Sequence, residues 1–315
     1  MKPQLAVVMD PIDSIRPYKD STFAMLLEAQ RREWNINYLR PNSLQVIGDK
    51  PFADSAPLSL RDQNSDWYTH DKFTERNLSE FDVILMRKDP PFDMEYIYAT
   101  YILELAHKAG SLVVNQPSAL RNFNEKFSIT NFPQCCTPTL ISRDRNKINT
   151  FIEQHNEIVV KPLDAMGGES IFRLTLEDTN KQSILDQITQ KGLRTIMAQK
   201  FIPEITQGDK RILLINGEPI PYAYARIPPK GEFRGNLAIG GTGQGIPLSE
   251  QDRQICTEIK PLLLENGILF AGIDVIGPYL TEINITSPTC IRELDSQYDL
   301  NICGILFDHI ETLLK

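Results

Sequence analysis

A chain of 315 residues, 41% hydrophobic and 23% charged, has an ordinary globular composition and is long enough for two or three lobes sharing cores. Its formal net charge of -8 gives no overall basic field, which argues against nucleic acid as the main partner. Anionic phosphates would have to be held by a few placed lysines, backbone amides and metal ions.

The apolar run at 5–9, ended by Asp10 and Pro11, is too short for a secretory signal and reads as a first strand. No stretch approaches the roughly 18 apolar residues of a membrane helix, so a soluble, cytoplasmic protein with no membrane partner is expected. Asp20 or Ser21 caps a helix carrying Phe23, Leu26 and Leu27 on one face, and 82–86 reads as another strand. A second helix starts near Asp93, buries Ile97, Tyr101 and Leu105 at helical spacing, and stops at Gly110 before a strand at 111–115. This alternation predicts a parallel sheet with crossover helices, while the polar stretch 40–80 reads as loop with edge strands.

From about 125 the texture changes to a small α+β lobe: a helical segment at 124–131, a strand at 157–162, a glycine pair at 167 and 168, a strand at 170–174, a helix near 180–191 and an apolar segment at 194–201. Strands around 210–215 and 219–226 follow, then a glycine-rich segment at 231–245. Ser249 opens a helix with Asp252 three residues on, a capping-box variant, and Gly267 ends it. Two last strands, 268–276 and 280–286, join at a tight Gly277-Pro278 turn. The chain divides on this reading into 1–124, 125–201 and 202–315. The five cysteines lack CxxC spacing and read as reduced thiols; the four histidines show no paired spacing that would support a zinc or triad site.

The most informative constellation is Asp274, Glu282 and Asn284. With Gly277, Pro278 and Tyr279 as the loop, Ile276 faces Leu280 and Asp274 faces Glu282, and Glu282 and Asn284 share a face because side chains alternate. Two carboxylates and an amide oxygen then converge, a hard-oxygen set suited to Mg²⁺; a polar, solvent-facing sheet side would look the same. Lys161 ends an apolar strand shortly before Met166, Gly167 and Gly168, which can bring an ammonium and backbone amides to a polyphosphate, although an ordinary turn with a surface lysine fits too. Lys126, at the start of the preceding helical segment, is a weaker candidate of the same kind. Gln199, Lys200, Phe201 and Ile202 form a connector that can offer backbone groups and apolar cover to an adenine, or simply a core strand. Asp209 and Arg211 follow, and Arg211 could reach a transferring phosphoryl group or make a surface salt bridge. The stretch from Arg226 through Arg234 to Gly243, with embedded cations and many glycines, has the composition of a lid and equally of a linker.

Taken in order over essentially the whole chain, these segments resemble the bacterial glutathione synthetases of the ATP-grasp superfamily. The most specific strings are Val83-Ile84-Leu85-Met86-Arg87-Lys88-Asp89-Pro90-Pro91-Phe92-Asp93, Lys161-Pro162-Leu163-Asp164 with Met166-Gly167-Gly168, Arg234-Gly235-Asn236-Leu237, and Thr281-Glu282-Ile283-Asn284-Ile285-Thr286-Ser287-Pro288-Thr289-Cys290-Ile291-Arg292-Glu293. The resemblance implies an α/β protein: an N-terminal parallel-sheet domain before an ATP-grasp fold, with ATP clasped between the last two lobes. It implies an ATP-dependent carboxylate–amine ligase that forms an acyl phosphate on γ-glutamylcysteine and passes the acyl group to glycine. Carried over, Lys126, Lys161, the turn at 166–168 and Arg211 would hold phosphates, Gln199 to Ile202 the adenine, and Asp209 the ribose. Asp274, Glu282 and Asn284 would hold Mg²⁺, with Mn²⁺ as an alternative. Arg87, Asp89, Asn284, Ser287, Thr289 and Arg292 would lie along the dipeptide, while Arg226 to Gly241 would form the lid and Arg211, Arg226 and Arg234 act on the reacting groups. Thr242 departs from the basic residue expected there. A homotetramer is implied as well. The rival readings are a ligase of the same superfamily with another acid or amine, and a nucleotide-binding module without turnover.

Overall fold

In the computed structural model, which describes residues 2–165, 170–229, 231–232, 235 and 242–314, three sheets succeed one another along the chain. The first is built from β1 (Gln4–Val8), β2 (Asn35–Leu39), β3 (Gln45–Ile47), β4 (Lys50–Leu60), β5 (Tyr68–His70), β6 (Thr74–Asn77), β7 (Val83–Met86) and β8 (Leu112–Val114), in the order β3-β4-β2-β1-β7-β8 with β5 and β6 on β4. The pairs β1/β7 and β7/β8 are parallel, as the strand and helix alternation predicts, and β1 also pairs in parallel with β2. β2 lies outside that prediction. The 40–80 region is more strand than loop: β4 runs antiparallel along β2 and carries β3, β5 and β6. Its inward residues include Ala53, Ser55 and Ala56, small side chains that give little apolar signal.

Helix α1 (Ser21–Arg31) is capped by Asp20, whose Oδ1 accepts from the Phe23 amide at 2.6 Å, and α2 (Met94–Lys108) by Asp93, which accepts from the Tyr96 amide at 2.9 Å. The buried face of α2 is Tyr96, Ala99, Thr100, Leu103 and Ala106, not the expected Ile97, Tyr101 and Leu105; Tyr101 is 51% exposed. Apolar residues surround much of this helix, so the small Ala99 and Ala106 decide which side approaches the sheet. A short helix, α3 (Pro117–Asn122), follows β8.

The second sheet comprises β9 (Thr139–Ser142), β10 (Glu157–Pro162), β11 (Phe172–Thr175) and β12 (Ile196–Lys200), all antiparallel in the order β11-β10-β12-β9, covered by α4 (Arg145–His155) and α5 (Lys181–Ile188). Ile148, Ile152, Ile158, Val160, Leu174 and Leu185 fill its core. The third sheet runs β15-β14-β13-β16-β17, from β13 (Asp209–Ile215), β14 (Glu218–Ile227), β15 (Thr242–Pro247), β16 (Phe270–Ile276) and β17 (Tyr279–Asn284). Helix α6 (Glu250–Glu265) packs on it behind the expected capping box: Ser249 Oγ accepts from the Asp252 amide and Asp252 Oδ2 from the Ser249 amide.

Helices α7 (Ile291–Tyr298) and α8 (Ile302–Leu313) return to the first lobe. Arg32, just past α1, donates to Asp308 at 2.6 Å, Glu311 at 2.9 Å and the Gly304 carbonyl, while Trp34 meets Phe307 edge-on. Asn115, after β8, donates to the carbonyls of Phe270 and Ile285 and accepts from the Phe270 amide, locking the first lobe to the third sheet. Among the described residues no helix is long and apolar enough to cross a membrane, and none of the five cysteines is in a disulfide.

Candidate active site

A cavity of about 510 Å³ lies where the three sheets meet. The β16–β17 hairpin places its central carboxylates. Its loop holds two residues rather than the expected three, so Ile276 faces Tyr279 and Val275 faces Leu280. Thr281 is then an extra residue on β17, a bulge that restores Asp274 opposite Glu282, and Gly272 stands opposite Asn284. Ile273, Val275, Ile283 and Ile285 face the core on the other side. Gly272 has a specific steric role: a Cβ there would sit 2.8 Å from Pro288 Cβ and 2.9 Å from Arg211 Cδ, in the path of the arginine that crosses it.

Arg211 projects from β13 and grips Asp274 with two guanidinium nitrogens, Nη2 at 2.9 Å from Oδ2. Arg226 projects from β14 and lies 3.0 Å from Asp274 Oδ2 and 2.6 Å from Asp209 Oδ2. This corrects the expectation that Arg226 begins a lid and bears out the strand expected at 219–226: it is a buried strand residue, fixed by the β13/β14 register that sets it beside Asp209. Burial works against the Asp274 charge, but Arg211 and Arg226 hold its carboxyl well below the usual range. Burial instead pushes Asp209 up to about 6, with Arg226 opposing and Asp274 reinforcing the rise. Asp209 Oδ1 is buried and has no hydrogen-bond partner among the described residues.

The second charge cluster joins the small lobe to the hairpin. Lys161, at the end of β10, sends Nζ to Glu282 Oε1 and the Thr281 carbonyl, each at 3.4 Å; Lys126 Nζ donates to the Ala165 carbonyl at 2.7 Å and lies 3.7 Å from Glu282. Both lysines are buried, and burial depresses Lys161. Glu282 is also desolvated, yet the two lysines keep it below its ordinary value. Glu125 beside them is raised by burial and by the Glu282 charge, and accepts from Thr286 Oγ1 at 3.0 Å.

Gln199 on β12 is buried and donates to Thr139 Oγ1 at 3.1 Å; Lys200, Phe201 and Ile202 continue along the same wall. Asp89, Asn284, Ser287 and Thr289 also line the cavity, with Ser287 Oγ donating to Asp89. Arg87 and Arg292 do not. Arg87 is buried behind the wall, donating to Thr22 Oγ1 at 3.0 Å and to the Pro288 carbonyl at 2.9 Å, while Arg292 turns to Asp62 at 2.8 Å. Met166, Gly167, Gly168 and Arg234 lie outside the described residues. Sequence reasoning missed Glu125 and the Asp10, Arg16, Lys19 and Asp20 set on the loop after β1. The carboxyl ends of parallel strands are where such sheets bind ligands, so the position after β1 was a usable signal.

Asp274, Glu282 and Asn284 offer hard oxygens at adjoining positions, and Asn284 Nδ2 sits 3.4 Å from Asp274 Oδ2. Among the described residues no group of three or more His, Cys, Asp or Glu could hold a metal alone. A cation held by these three would have to take the rest of its shell from water or phosphate oxygens, as Mg²⁺ does.

The family model for the prokaryotic glutathione synthetase N-terminal domain matches residues 4–121, and that for the prokaryotic glutathione synthetase ATP-grasp domain matches 125–299. The chain is 53% identical over 311 residues to the glutathione synthetase of Xanthomonas campestris pv. campestris, covering 99% of this chain and 98% of that one. It is 53% identical over 312 residues to the glutathione synthetase of Vibrio cholerae, with 99% and 98% covered. Among solved structures, D-cycloserine synthetase DcsG superposes with a TM-score of 0.66 at 13% identity, covering 97% of this chain and 99% of that one. D-alanyl-alanine synthetase A from Vibrio cholerae gives 0.62 at 15% identity, covering 100% and 99%. These two likenesses bear on the fold alone, which is that of ATP-grasp ligases.

Proposed function

The chain belongs to the prokaryotic glutathione synthetase family, and from that premise we propose that its cavity joins γ-glutamylcysteine to glycine, using ATP to turn the cysteine carboxylate into an acyl phosphate. The observation that carries this reading is the meeting of Lys126, Lys161, Arg211 and Arg226 around the Asp274 and Glu282 pair, in one cavity between the second and third sheets.

A carboxylate accepts an amine only after one of its oxygens becomes a leaving group. The cysteine carboxylate oxygen takes the γ-phosphoryl group as ADP departs; the glycine amine then bonds to the acyl carbon, phosphate leaves, and the amine's proton passes to solvent. Negative charge spreads over the transferring group, so fixed cations carry most of the catalytic burden. On this reading Gln199 to Ile202, which line the cavity, would cover the adenine, Asp209 would meet the ribose, and Lys126 and Lys161 would hold phosphate oxygens. Asp274, Glu282 and Asn284 would hold Mg²⁺, or Mn²⁺, which supplies further charge neutralisation when bound. Arg211 and Arg226 arrive preorganised on Asp274, and Asp89, Ser287 and Thr289 line the acid's path. Arg87 acts from behind, by holding the turn at Pro288.

On the same reading the segments 1–124, 125–201 and 202–315 receive the acid, clasp the nucleotide and carry the metal hairpin, with α8 belonging by packing to the first and α7 lying between the first lobe and the third sheet. The protein works in the cytoplasm as a homotetramer, which fractionation and sedimentation of the native protein would check.

The test is phosphate release with Mg²⁺ and ATP, offering γ-glutamylcysteine and glycine together and then omitting each. Release that needs both, with glutathione identified by mass, is expected. Release only with another acid and amine would move the substrate, and none with any pair would leave a nucleotide-binding module.

A further inference from the structure

Helix α7 has one end on the cavity and the other on the edge of the third sheet. It starts beside the cavity-lining turn at 287–289, where the Ile291 amide donates to Ser21 Oγ at 3.2 Å. Its last turn leaves the cavity wall: Gln297 is exposed, and neither it nor Tyr298 lines the cavity. β15 is the edge strand of its sheet, so alternate amides point away from β14 and need another acceptor. Gly245 on β15 is buried, and Gln297 Oε1 accepts from its amide at 2.6 Å. Beside that contact Tyr298 stacks on Tyr222 of β14 with ring centres 3.6 Å apart. The register sets Gly243 opposite Arg226 and Gly245 opposite Tyr224, on the face of the sheet that carries Tyr222, Tyr224 and Arg226. Both glycines leave room for α7 and its supports. A Cβ on Gly245 would come within 2.8 Å of Gln297 Oε1 and collide with the Tyr298 ring, and one on Gly243 would collide with the Tyr224 hydroxyl.

Arg226 is the cavity residue whose placement depends on this edge. Its backbone lies between Asp209 of β13 on one side and Gly243 of β15 on the other. Its side chain reaches Asp209 Oδ2 at 2.6 Å and Asp274 Oδ2 at 3.0 Å together, so a small tilt of β14 costs one of the two contacts. We propose that Gln297, with the Tyr298 ring beside it, is a positioning residue for the ligation. By taking the buried Gly245 amide it holds β15 on β14, and so keeps Arg226 on the two carboxylates in fixed relation to the turn from which α7 starts. Gln297 lies outside the cavity and acts through Arg226 alone. The assignment rests on the ligase reading above and adds to it a residue that no substrate reaches.

The test compares Gln297→Met, which keeps the length of the side chain and loses the acceptor, with Gln297→Glu, which keeps an acceptor oxygen. Gln297→Met should lose about two- to tenfold in kcat, the range of one hydrogen bond, with KM for ATP unchanged, and Gln297→Glu should match the wild type. A displaced Arg226 also leaves the acyl phosphate open to water, which returns the free carboxylate and phosphate. Phosphate released per glutathione should therefore rise above the wild-type value in Gln297→Met. The decisive measurement is a double-mutant cycle: with Arg226→Lys already in place, adding Gln297→Met should bring no further loss. Losses that multiply independently would overturn the proposal, as would a Gln297→Glu protein as impaired as Gln297→Met. So would a Gln297→Met protein of lowered Tm whose kcat and phosphate yield stay those of the wild type, since the contact would then serve stability alone. Absence of turnover by the wild type with any acid and amine would refute the ligase reading and this assignment together, whereas the outcomes in the variants bear on the assignment alone.

Discussion

Arg226 Nη2 lies 3.0 Å from Asp274 Oδ2, so the carboxylate that grips Arg211 also serves a second buried guanidinium. Replacing Asp274 by Asn preserves its volume but leaves Arg211 without a carboxylate partner in a buried site. Removing one partner of a buried pair costs about 3–5 kcal/mol. Asp274→Asn should therefore lower Tm clearly as well as abolish turnover, and thermal unfolding beside the phosphate-release assay measures both. An unchanged Tm would show that Asp274 matters only to ligands.

Glu282 differs because its partners are lysines at 3.4 and 3.7 Å that also hold the Thr281 and Ala165 carbonyls. Glu282→Ala should keep the fold and lose turnover by about a hundredfold or more, the scale seen when one electrostatic group is removed from a reacting centre. The wild type should gain Tm when Mg²⁺ and ATP are added together, and the variant should not. Near-normal activity in Glu282→Ala would remove it from the metal site.

The facing of Asp274 and Glu282 was legible because strand alternation and a short Gly277-Pro278 turn constrain the register, but the route was not. The bulge at Thr281 offsets a loop one residue shorter than expected, and apolar alternation cannot distinguish those two combinations. Arg226 read both as the end of a strand and as the start of a lid because prolines and glycines follow it, whereas its position beside Asp209 depends on the register of β14 on β13. The first lobe's contribution was less visible still. Lys19 and Arg16 acquire meaning only when the loop after β1 meets the turn before α7, and Arg32 binds Asp308 across 276 positions of sequence. Local pattern carries no information about such meetings.

Cys290 is a buried thiol on the cavity wall, beside the Ser287–Thr289 turn, and burial pushes its pKa up. A thiol kept protonated is a poor nucleophile, and acyl-phosphate chemistry asks for none. Cys290→Ala should retain most turnover, and the native protein should react slowly with thiol-blocking reagents until unfolded. Near-total loss of activity in a folded Cys290→Ala protein would contradict this.

Asp295, on α7, accepts the Ile302 amide at 3.0 Å and ties the start of α8 to α7. Burial raises its pKa from 3.8 to about 6, opposed by that hydrogen bond and by Arg292. The raised value means that the protonated form favours folding: its contribution is whole below about pH 4 and is lost as the pH rises through about 6. Asn keeps the accepting oxygen and cannot ionise, so Asp295→Asn should unfold at higher temperature than wild type at pH 8, with the two curves converging toward pH 4. The gap will be smaller than the full pKa difference implies, because the carboxyl is partly exposed and screened. Unfolding midpoints across that range decide the matter; a gap that stayed constant with pH would place the cause in packing rather than in ionisation.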